Sequence, residues 1–334
     1  MSSEHAAPVA STLCVGETMI QLATSSGRPL TSAPDLDVRV AGAEANVAVG
    51  MAHLGADVEW FGRIGADPFG TRVLDLLRER GVQVDRAPAD PALPTGLYVK
   101  DVAVPGSPVY YYRRGSAASA LSTDDLPALR LPDRRLCHLS GITPALSASC
   151  DALLERIVRG RTGAGPLVSF DVNHRPGLWS AASAAPRLLE LARASDVVIV
   201  GRDEAERLWD TPDAAAVRAL LPGVPEVVVK DDDRGATVFT GTGEVFVPAL
   251  QVDVIEPVGA GDAFAAGYLG GLLAGYDAAR RARLGHLMAA LALRHIGDLP
   301  PLPEADRIRR LAEGTTDDWA ARRGSGLHEL EALL

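Results

Sequence analysis

The sequence contains few of the residues that characterise disulfide-bonded or membrane proteins. Only three of its 334 residues are cysteine, and Cys14, Cys137 and Cys150 show no Cys-x-x-Cys spacing. Cys14 and Cys137 lie in apolar runs, so we expect both to be reduced core residues. No apolar run approaches the roughly 18 residues of a membrane span, and residues 1–11 lack the apolar segment of a signal peptide. We therefore expect a cytoplasmic protein without a membrane partner.

Positive charge is also scarce. The chain has 33 Lys and Arg residues against 43 Asp and Glu residues, which gives a formal net charge of −10. Binding to nucleic acid requires a basic surface, so we exclude nucleic acid as a main partner. A small anionic ligand remains compatible with this charge, because a few arginines are enough to form a local site.

The chain does contain a 47% apolar fraction and a regular alternation of strand-like and helix-like segments. Two segments near the front, at about 18–41 and 94–118, interrupt this alternation and have the pattern of a half-exposed antiparallel sheet. We predict an α/β fold, a doubly wound and mostly parallel sheet, that forms a single domain over residues 11–320. The two interrupting segments would form a small β-sheet lid, and residues 321–334 a C-terminal tail.

The most informative stretch covers residues 252–264. Its β-branched beginning, Val252–Ile255, predicts a strand that Pro257 ends, and the apolar run after Asp262 predicts a helix. The turn between them consists of Gly259, Ala260 and Gly261. A glycine turn before a helix directs free backbone N–H groups at an anion, so this turn predicts a phosphate site.

Asp262 lies in the first turn of that predicted helix and faces the same space as the anion. Phosphate and carboxylate repel each other, but a kinase needs both, because the Asp takes the proton of the attacking hydroxyl. The alternative is an Asp that interacts only with its own helix dipole. A Walker A loop is excluded because no Gly-Lys-Ser/Thr follows, and a dinucleotide fingerprint is excluded because Phe264 replaces its third glycine.

Other polar residues follow predicted strands at the carboxyl ends, where open α/β sheets place their sites. Glu17 follows the first strand, and the clusters 171–176 and 201–206 follow two later ones. Asn46 falls in the first turn of a helix predicted over Val47–Leu54, either as a cap or as a ligand contact.

The second lid segment places an arginine beside two tyrosines. Tyr111 and Arg113 share one face of a predicted strand because side chains alternate, and Tyr98 lies in the partner strand. This group fits a hydroxylated, anionic small molecule. The alternative is an ordinary exposed sheet face in which each arginine pairs with a protein carboxylate.

These motifs together resemble the ribokinase-like family of carbohydrate kinases from about Leu13 to about Leu311. The two signatures are residues 42–55 and 256–264, and the second is similar to the family motif Asp-Thr-x-Gly-Ala-Gly-Asp. Within the family, four segments are similar to the 2-keto-3-deoxygluconate kinases in particular: residues 42–48, 111–117, 138–144 and 170–176.

The resemblance implies an ATP- and Mg²⁺-dependent kinase that phosphorylates a primary hydroxyl of a keto-deoxy sugar acid such as 2-keto-3-deoxygluconate. It implies that Asp262 is the general base and that the anion hole consists of the backbone N–H groups of Gly259, Ala260 and Gly261. The implied sugar contacts are Gly42, Asn46, Tyr98, Tyr111, Arg113 and Arg175. Glu204 would act in magnesium and phosphate handling, and the nucleotide-side loop would contain Lys230 and Gly235.

Three positions depart from the family pattern. Gly201 stands where the motif Asn-x-x-Glu has Asn, so a direct metal contact from that position is lost. Glu256 replaces the usual Asp, beside the place of a monovalent cation if the chain binds one, and Ala41 stands where Gly is frequent. None of these changes removes Asp262 or the two glycines of the turn.

Other functions are compatible with the same motifs. The first alternative is a fructokinase of the same fold, which would have no need of the two guanidinium groups of Arg113 and Arg175. A non-catalytic sugar or nucleotide sensor has no use for Asp262, and a nucleoside kinase would need an apolar, aromatic wall. An open lid sheet has an edge and an apolar face to cover, so we also expect a homodimer formed through the lid.

Overall fold

The computed structural model describes residues 11–24, 27–104, 107–160 and 165–321. The strands in these ranges are β1 (Thr12–Val15), β2 (Met19–Thr24), β3 (Leu36–Ala41), β4 (Val58–Phe61), β5 (Ile64–Gly65), β6 (Ala89–Asp90), β7 (Leu97–Lys100), β8 (Val109–Tyr112), β9 (Leu136–Ser140), β10 (Leu167–Asp171), β11 (Val197–Gly201), β12 (Glu226–Asp231), β13 (Gly235–Thr240) and β14 (Gly243–Pro248). The helices are α1 (Ala43–His53), α2 (Pro68–Glu79), α3 (Leu126–Leu129), α4 (Ala148–Arg159), α5 (Ala181–Arg193), α6 (Arg202–Trp209), α7 (Ala214–Leu220), α8 (Ala260–Leu273), α9 (Ala278–Leu293) and α10 (Ala305–Leu311).

The main sheet has eight strands in the order β14-β13-β12-β11-β10-β9-β1-β4. Strands β12, β11, β10, β9, β1 and β4 pair in parallel, while β13 and β14 add an antiparallel edge. Strand β9 is buried along its whole length, as expected for a parallel strand covered on both faces. The predicted mostly parallel sheet is therefore confirmed.

Helices cover both faces of this sheet. One apolar layer joins α1, α8 and α9 to the sheet, and the other joins α4, α5, α6 and α7. Helices α1 and α8 pack closely because Gly50 has no side chain: a Cβ there would lie 2.5 Å from the Cβ of Ala266. This close packing brings the first turns of α1 and α8, and with them Asn46 and Asp262, to the same place.

A second, smaller sheet has the strand order β3-β2-β7-β8. Its strands come from the two segments predicted to form the lid, so the existence of the small sheet is confirmed. In the second segment the strands are β7 and β8, and residues 105 and 106 between them lie outside the described residues. The predicted C-terminal tail also lies outside them, apart from residue 321.

The strand predicted for Val252–Ile255 is wrong. The hairpin partner β14, which the sequence analysis did not predict, already closes this edge of the main sheet. The chain after it runs along the surface, where Val254 is 58% and Ile255 59% exposed, and the Ile255 N–H donates to the Leu293 carbonyl of α9. The β-branched residues indicate an extended chain but do not show whether that chain joins a sheet. Joining the sheet depends on whether its edge is already occupied by another strand.

Helix α1 begins earlier than predicted. It starts at Ala43 rather than Val47, because Ala43, Glu44 and Ala45 favour a helix and Gly42 precedes it in an extended conformation. Asn46 is consequently one turn inside the helix and is not its cap. Among the described residues, no helix is long and apolar enough to cross a membrane. Cys14 and Cys137 are buried and form no disulfide, as expected.

Candidate active site

The candidate site lies at the carboxyl ends of the parallel strands, next to the N-terminus of α8. Four of these strands deliver a polar residue within two positions of their last residue: Glu17 after β1, Ser140 in β9, Asp171 in β10 and Lys230 in β12. The sequence analysis expected polar residues at this edge, and the parallel register explains why they meet there.

The predicted anion hole forms the first turn of α8. Gly259 precedes the helix with a φ of 83°, a left-handed conformation that suits glycine. The first N–H groups of a helix have no partner within it, so this turn offers donors and the positive end of the helix dipole. A Cβ on Gly261 would lie 3.4 Å from the Lys230 ammonium nitrogen, which places that cation at the same helix end.

Asp262, the predicted base, is 7% exposed. The Asn46 side-chain Nδ2 donates to its Oδ2 at 2.8 Å, and the Asn173 Nδ2 lies 3.5 Å from its Oδ1. Burial raises the pKa of Asp262, while the nearby Arg175 charge and the Asn46 hydrogen bond act against this rise. The carboxylate is therefore held in one orientation at the helix end, as a proton acceptor requires.

Lys230 of β12 forms an ion pair with a residue of β10, two strands away in the main sheet. Its Nζ lies 3.3 Å from the Asp171 Oδ2, and the charges of Asp171 and Glu204 raise its pKa against the effect of burial. Lys230 therefore remains a cation at the helix end. Gly235, which was predicted to lie in the nucleotide-side loop, is the first residue of β13, and a Cβ there would lie 2.3 Å from the Val247 carbonyl oxygen of β14.

Both carboxylate oxygens of Glu204 accept hydrogen bonds from backbone N–H groups. Its Oε1 accepts the His174 N–H at 2.5 Å, and its Oε2 accepts the Gly201 N–H at 3.2 Å. Burial, followed by the charge of Asp171, raises the pKa of Glu204 to about 6. Within the ranges that the structure describes, no group of three or more His, Cys, Asp or Glu side chains is arranged to hold a metal ion. Asp171, however, keeps a buried Oδ1 without a hydrogen-bond partner.

The small sheet brings the predicted aromatic group together. Tyr98 and Tyr111 are Cα partners across β7 and β8, and their ring centroids lie 5.5 Å apart. The Arg113 guanidinium carbon lies 5.5 Å from the centroid of Tyr111. The two rings lie on the same face of the sheet, with Tyr98 7% and Tyr111 50% exposed, so Tyr98 is the more deeply buried of the two.

The two predicted substrate arginines have different surroundings. Arg113 pairs with the carboxylate of Glu17, which also accepts a hydrogen bond from Ser116. Arg175 is exposed and forms no ion pair with a described residue, and its charge lowers the pKa of Asp262 and acts in the same direction on Tyr98. Arg113 therefore has a protein carboxylate as its partner, whereas the charge of Arg175 acts on both the predicted base and a tyrosine of the small sheet.

The other predicted sugar contacts lie at the start of α1. A Cβ on Gly42 would lie 2.6 Å from the Glu17 carbonyl oxygen, so glycine allows the helix to begin against the chain after β1. The Oδ1 of Asn46 is buried and has no hydrogen-bond partner in the described part of the chain. It is therefore free to accept a hydrogen bond from a ligand hydroxyl.

The sequence analysis missed three ionisable residues around this site, Glu44, Lys100 and Asp298. Glu44 is fully buried, accepts hydrogen bonds from Ser140 and Thr143, and has a pKa that burial raises to about 7. Lys100 forms an ion pair with Glu256 across 2.5 Å. Local pattern could not identify them, because each acquires its partner from a distant part of the chain.

The site combines a buried carboxylate, a helix N-terminus with an ammonium group next to it, and a small sheet. These are the parts that phosphoryl transfer to an alcohol requires. Comparison with known families matches residues 9–305 to the pfkB family carbohydrate kinases. The chain belongs to this family and is a carbohydrate kinase, as its motifs predicted.

Individual relatives agree with this assignment. The 2-dehydro-3-deoxygluconokinase of Bacillus subtilis (strain 168) is 35% identical over 299 residues, which cover 88% of this chain and 92% of the relative. The enzyme of the same name from Thermoproteus tenax is 35% identical over 315 residues, or 92% and 96% of the two chains. A crystal structure of a fructokinase with bound ATP from Xylella fastidiosa has a TM-score of 0.77 and 28% identity, covering 90% of this chain and 99% of that one.

Proposed function

We propose that the protein is an ATP-dependent kinase that phosphorylates a primary hydroxyl of a keto-deoxy sugar acid, in particular 2-keto-3-deoxygluconate. The observation that carries this proposal is the exposed Arg175 guanidinium, which has no carboxylate partner among the described residues and acts on both Asp262 and Tyr98. A guanidinium binds a sugar carboxylate in a bidentate manner, whereas a neutral sugar does not need this cation. The names of the two relatives that are 35% identical support the same substrate.

The proposed reaction uses the chain's own groups as follows. The Asn46 Oδ1 accepts a hydrogen bond from the sugar, and the hydroxyl to be phosphorylated faces Asp262. Asp262 takes its proton, the oxygen forms a bond to the γ-phosphorus of ATP, and the bond to the leaving ADP oxygen breaks. The N–H groups of the turn Gly259–Gly261 and the Lys230 ammonium stabilise the negative charge of the transferred group.

We propose that Mg²⁺ accompanies ATP, because in such sites it neutralises charge on the phosphates and keeps several of its waters. The unpartnered Oδ1 of Asp171 suits such a water, and Glu204 holds the adjoining backbone rather than the ion. We propose that the kinase reaction does not require a monovalent cation. The Lys100 ammonium already neutralises Glu256, the residue beside which such a cation was considered.

A fructokinase is the second candidate. The pairing of Arg113 with Glu17 removes one of the two guanidinium groups that argued against a neutral sugar. One of the solved structures with bound ATP that resemble this chain is that of a fructokinase. Arg175 is therefore the residue that separates the two candidates.

We further propose a homodimer formed through the small sheet. Strand β8 lies at an edge of this sheet, and its residues Val109, Tyr110, Tyr111 and Tyr112 are all exposed. Aromatic residues on an edge strand suit the core of an interface. Light scattering after gel filtration should give twice the chain mass, and Tyr112→Lys should give the monomer; a monomeric wild type would contradict the dimer.

The substrate proposal is tested by a coupled assay of ATP consumption over a panel of sugar acids and neutral sugars. We expect 2-keto-3-deoxygluconate to give the highest kcat/KM. The Asp262→Asn variant, purified in the same way, is the control for contaminating kinases. A wild type that prefers fructose would replace the sugar-acid assignment with the second candidate, and a wild type that is inactive on every sugar would contradict both.

A further inference from the structure

Two lysines lie beside the turn that begins helix α8. The chain has 33 Lys and Arg residues, and only Lys100 and Lys230 among them are lysines. The Lys230 ammonium nitrogen lies 3.4 Å from the place of a Cβ on Gly261, inside the turn. Lys100 is the last residue of β7, and its Nζ donates at 2.5 Å to the Oε2 of Glu256, just before the turn. Lys230 has a part in the proposed reaction, whereas Lys100 reaches the same turn from the small sheet without one.

The ion pair of Lys100 and Glu256 is shielded from water. The two side chains are 9% and 16% exposed, and the two residues lie 156 positions apart in the sequence. Charges in such a position are screened less by salt than surface charges, and removal of one partner leaves the other charge uncompensated. The pair therefore ties the small sheet to the chain segment that enters the turn.

That segment, residues 249–258, contains no helix or strand. Val254 and Ile255 are more than half exposed, so burial of their side chains holds the segment only weakly. The backbone N–H groups of Ile255 and Glu256 both donate to the Leu293 carbonyl of α9, at 2.8 and 3.2 Å. Helix α9 thus holds one side of the segment, and Lys100 holds the other.

A displacement of Glu256 reaches the turn through Pro257. Pro257 follows Glu256 directly, and its fixed φ makes it a stiff link. Its carbonyl accepts the Ala260 N–H at 3.4 Å. Ala260 is the first residue of α8 and the middle of the turn whose N–H groups form the proposed anion hole. The direction of these N–H groups therefore depends on where Glu256 is held.

Lys100 also offsets negative charge on this side of the turn. Burial raises the pKa of Asp298 to about 6, and the charge of Lys100 opposes this rise while that of Glu256 adds to it. Both carboxylates thus lie close enough to Lys100 to interact with its charge. Without the ammonium group, their negative charge would act against a phosphate at the turn.

We propose that Lys100 is a positioning residue for the phosphate site: it holds Glu256 from the small sheet, and through Glu256 it keeps the turn Gly259–Gly261 in the position that binds the phosphates of ATP. Lys100 touches neither ATP nor the sugar in this scheme. Tyr98 lies two residues before Lys100 on the same face of β7, so one strand carries a predicted sugar contact and the residue that holds the anion hole. The inference rests on the proposed kinase function but not on which sugar is phosphorylated.

The first test separates the two KM values. Lys100→Met keeps an unbranched side chain but removes its charge. The KM for ATP should rise about tenfold, the order expected when one unit charge beside a phosphate site is left uncompensated, and the KM for the sugar should stay within about twofold. Arg78→Met, which removes an exposed cation on α2, is the matched control and should behave as wild type. Equal changes in both KM values, or a KM for ATP equal to that of the control, would overturn the inference.

The second test restores the cation from solution, to which a merely structural loss would not respond. Lys100→Ala leaves space beside the uncompensated carboxylate of Glu256, and an ammonium or methylammonium ion can fill that space. Either ion should lower the raised KM for ATP of this variant severalfold. The larger tetramethylammonium ion, at the same ionic strength, is the control and should not. Equal effects of the small and the large cations on the variant would contradict the proposed role of Lys100.

A third measurement needs no sugar and separates this inference from the proposed function. In calorimetric titrations with Mg²⁺ and the non-hydrolysable analogue β,γ-methylene-ATP, Lys100→Met should have a Kd about tenfold higher than wild type and Arg78→Met. Lys100→Gln, which still donates a hydrogen bond to Glu256 but has no charge, takes its place if Lys100→Met does not fold. A wild type that binds the analogue but phosphorylates no sugar contradicts the proposed function alone. Equal Kd values for wild type and the Lys100 variant overturn the inference alone, and a wild type that binds no analogue contradicts both.

Discussion

Replacing Arg175 by Ala should change the substrate preference of the enzyme. Arg175 is the arginine of the candidate site that forms no ion pair with a described residue, and its charge acts on the base and on Tyr98. Loss of a bidentate, charge-assisted contact costs about 1.5–3 kcal/mol, which corresponds to a roughly ten- to hundredfold rise in KM. We expect this rise for 2-keto-3-deoxygluconate and almost none for fructose, each measured by coupled ATP consumption.

The same substitution should shift the pH dependence of kcat. Arg175 is the largest influence that lowers the pKa of Asp262. Without it, Asp262 becomes protonated at a higher pH, so the acid limb should move upward whichever sugar is used. The rise in KM should occur only with the sugar acid, whereas the shift of the acid limb should occur with either sugar. The two measurements therefore separate the role of Arg175 in sugar binding from its influence on the pKa of Asp262.

Arg113→Ala is the matched control. It leaves Glu17, a buried carboxylate, without its ion-pair partner, so we expect a loss of stability on the order of 3 kcal/mol in urea unfolding. The double variant Glu17→Gln/Arg113→Met should recover much of that loss. The reasoning is refuted if Arg175→Ala weakens both sugars equally, or if Arg113→Ala weakens only the sugar acid and leaves stability unchanged.

Three further substitutions test other parts of the site. Asp262→Asn should lower kcat by about 10² or more with little change in sugar KM, as steady-state kinetics will show. Gly261→Val places a side chain beside Lys230, so ATP turnover should fail while the melting temperature stays near that of wild type. Burial raises the pKa of Glu44 to about 7, so the folded protein favours the protonated side chain. The stability that this protonated form contributes is lost as pH rises through that value. Between about pH 5 and pH 8, Glu44→Gln should therefore gain about 2–3 kcal/mol of unfolding free energy relative to wild type.

Much of the site could be predicted because its parts are local in sequence. The turn Gly259–Gly261 and Asp262 are adjacent, and the start of a helix fixes where its first N–H groups point. The pairing of Tyr98 with Tyr111 followed from side-chain alternation across a hairpin. Such predictions succeed because neighbouring residues determine the geometry.

The remaining features depend on distant contacts. The Val252–Ile255 segment has the composition of a strand, but β14 occupies the sheet edge, and composition carries no information about that. The partner of Arg113 is almost a hundred positions away, at Glu17, and Asp298 reaches Asn46 only because α9 returns the chain to the site. Local pattern identified candidate cations and anions here but could not say which of them neutralise one another.

The central claim, that a keto-deoxy sugar acid is the acceptor, is tested most directly by competition. Equal concentrations of 2-keto-3-deoxygluconate and fructose are supplied with limiting ATP, and the two sugar phosphates are quantified by ³¹P nuclear magnetic resonance. The product ratio then equals the ratio of the two kcat/KM values. We predict that the phosphorylated sugar acid exceeds fructose phosphate by about tenfold or more, the value of one charge-assisted contact, whereas an excess of fructose phosphate would contradict the claim.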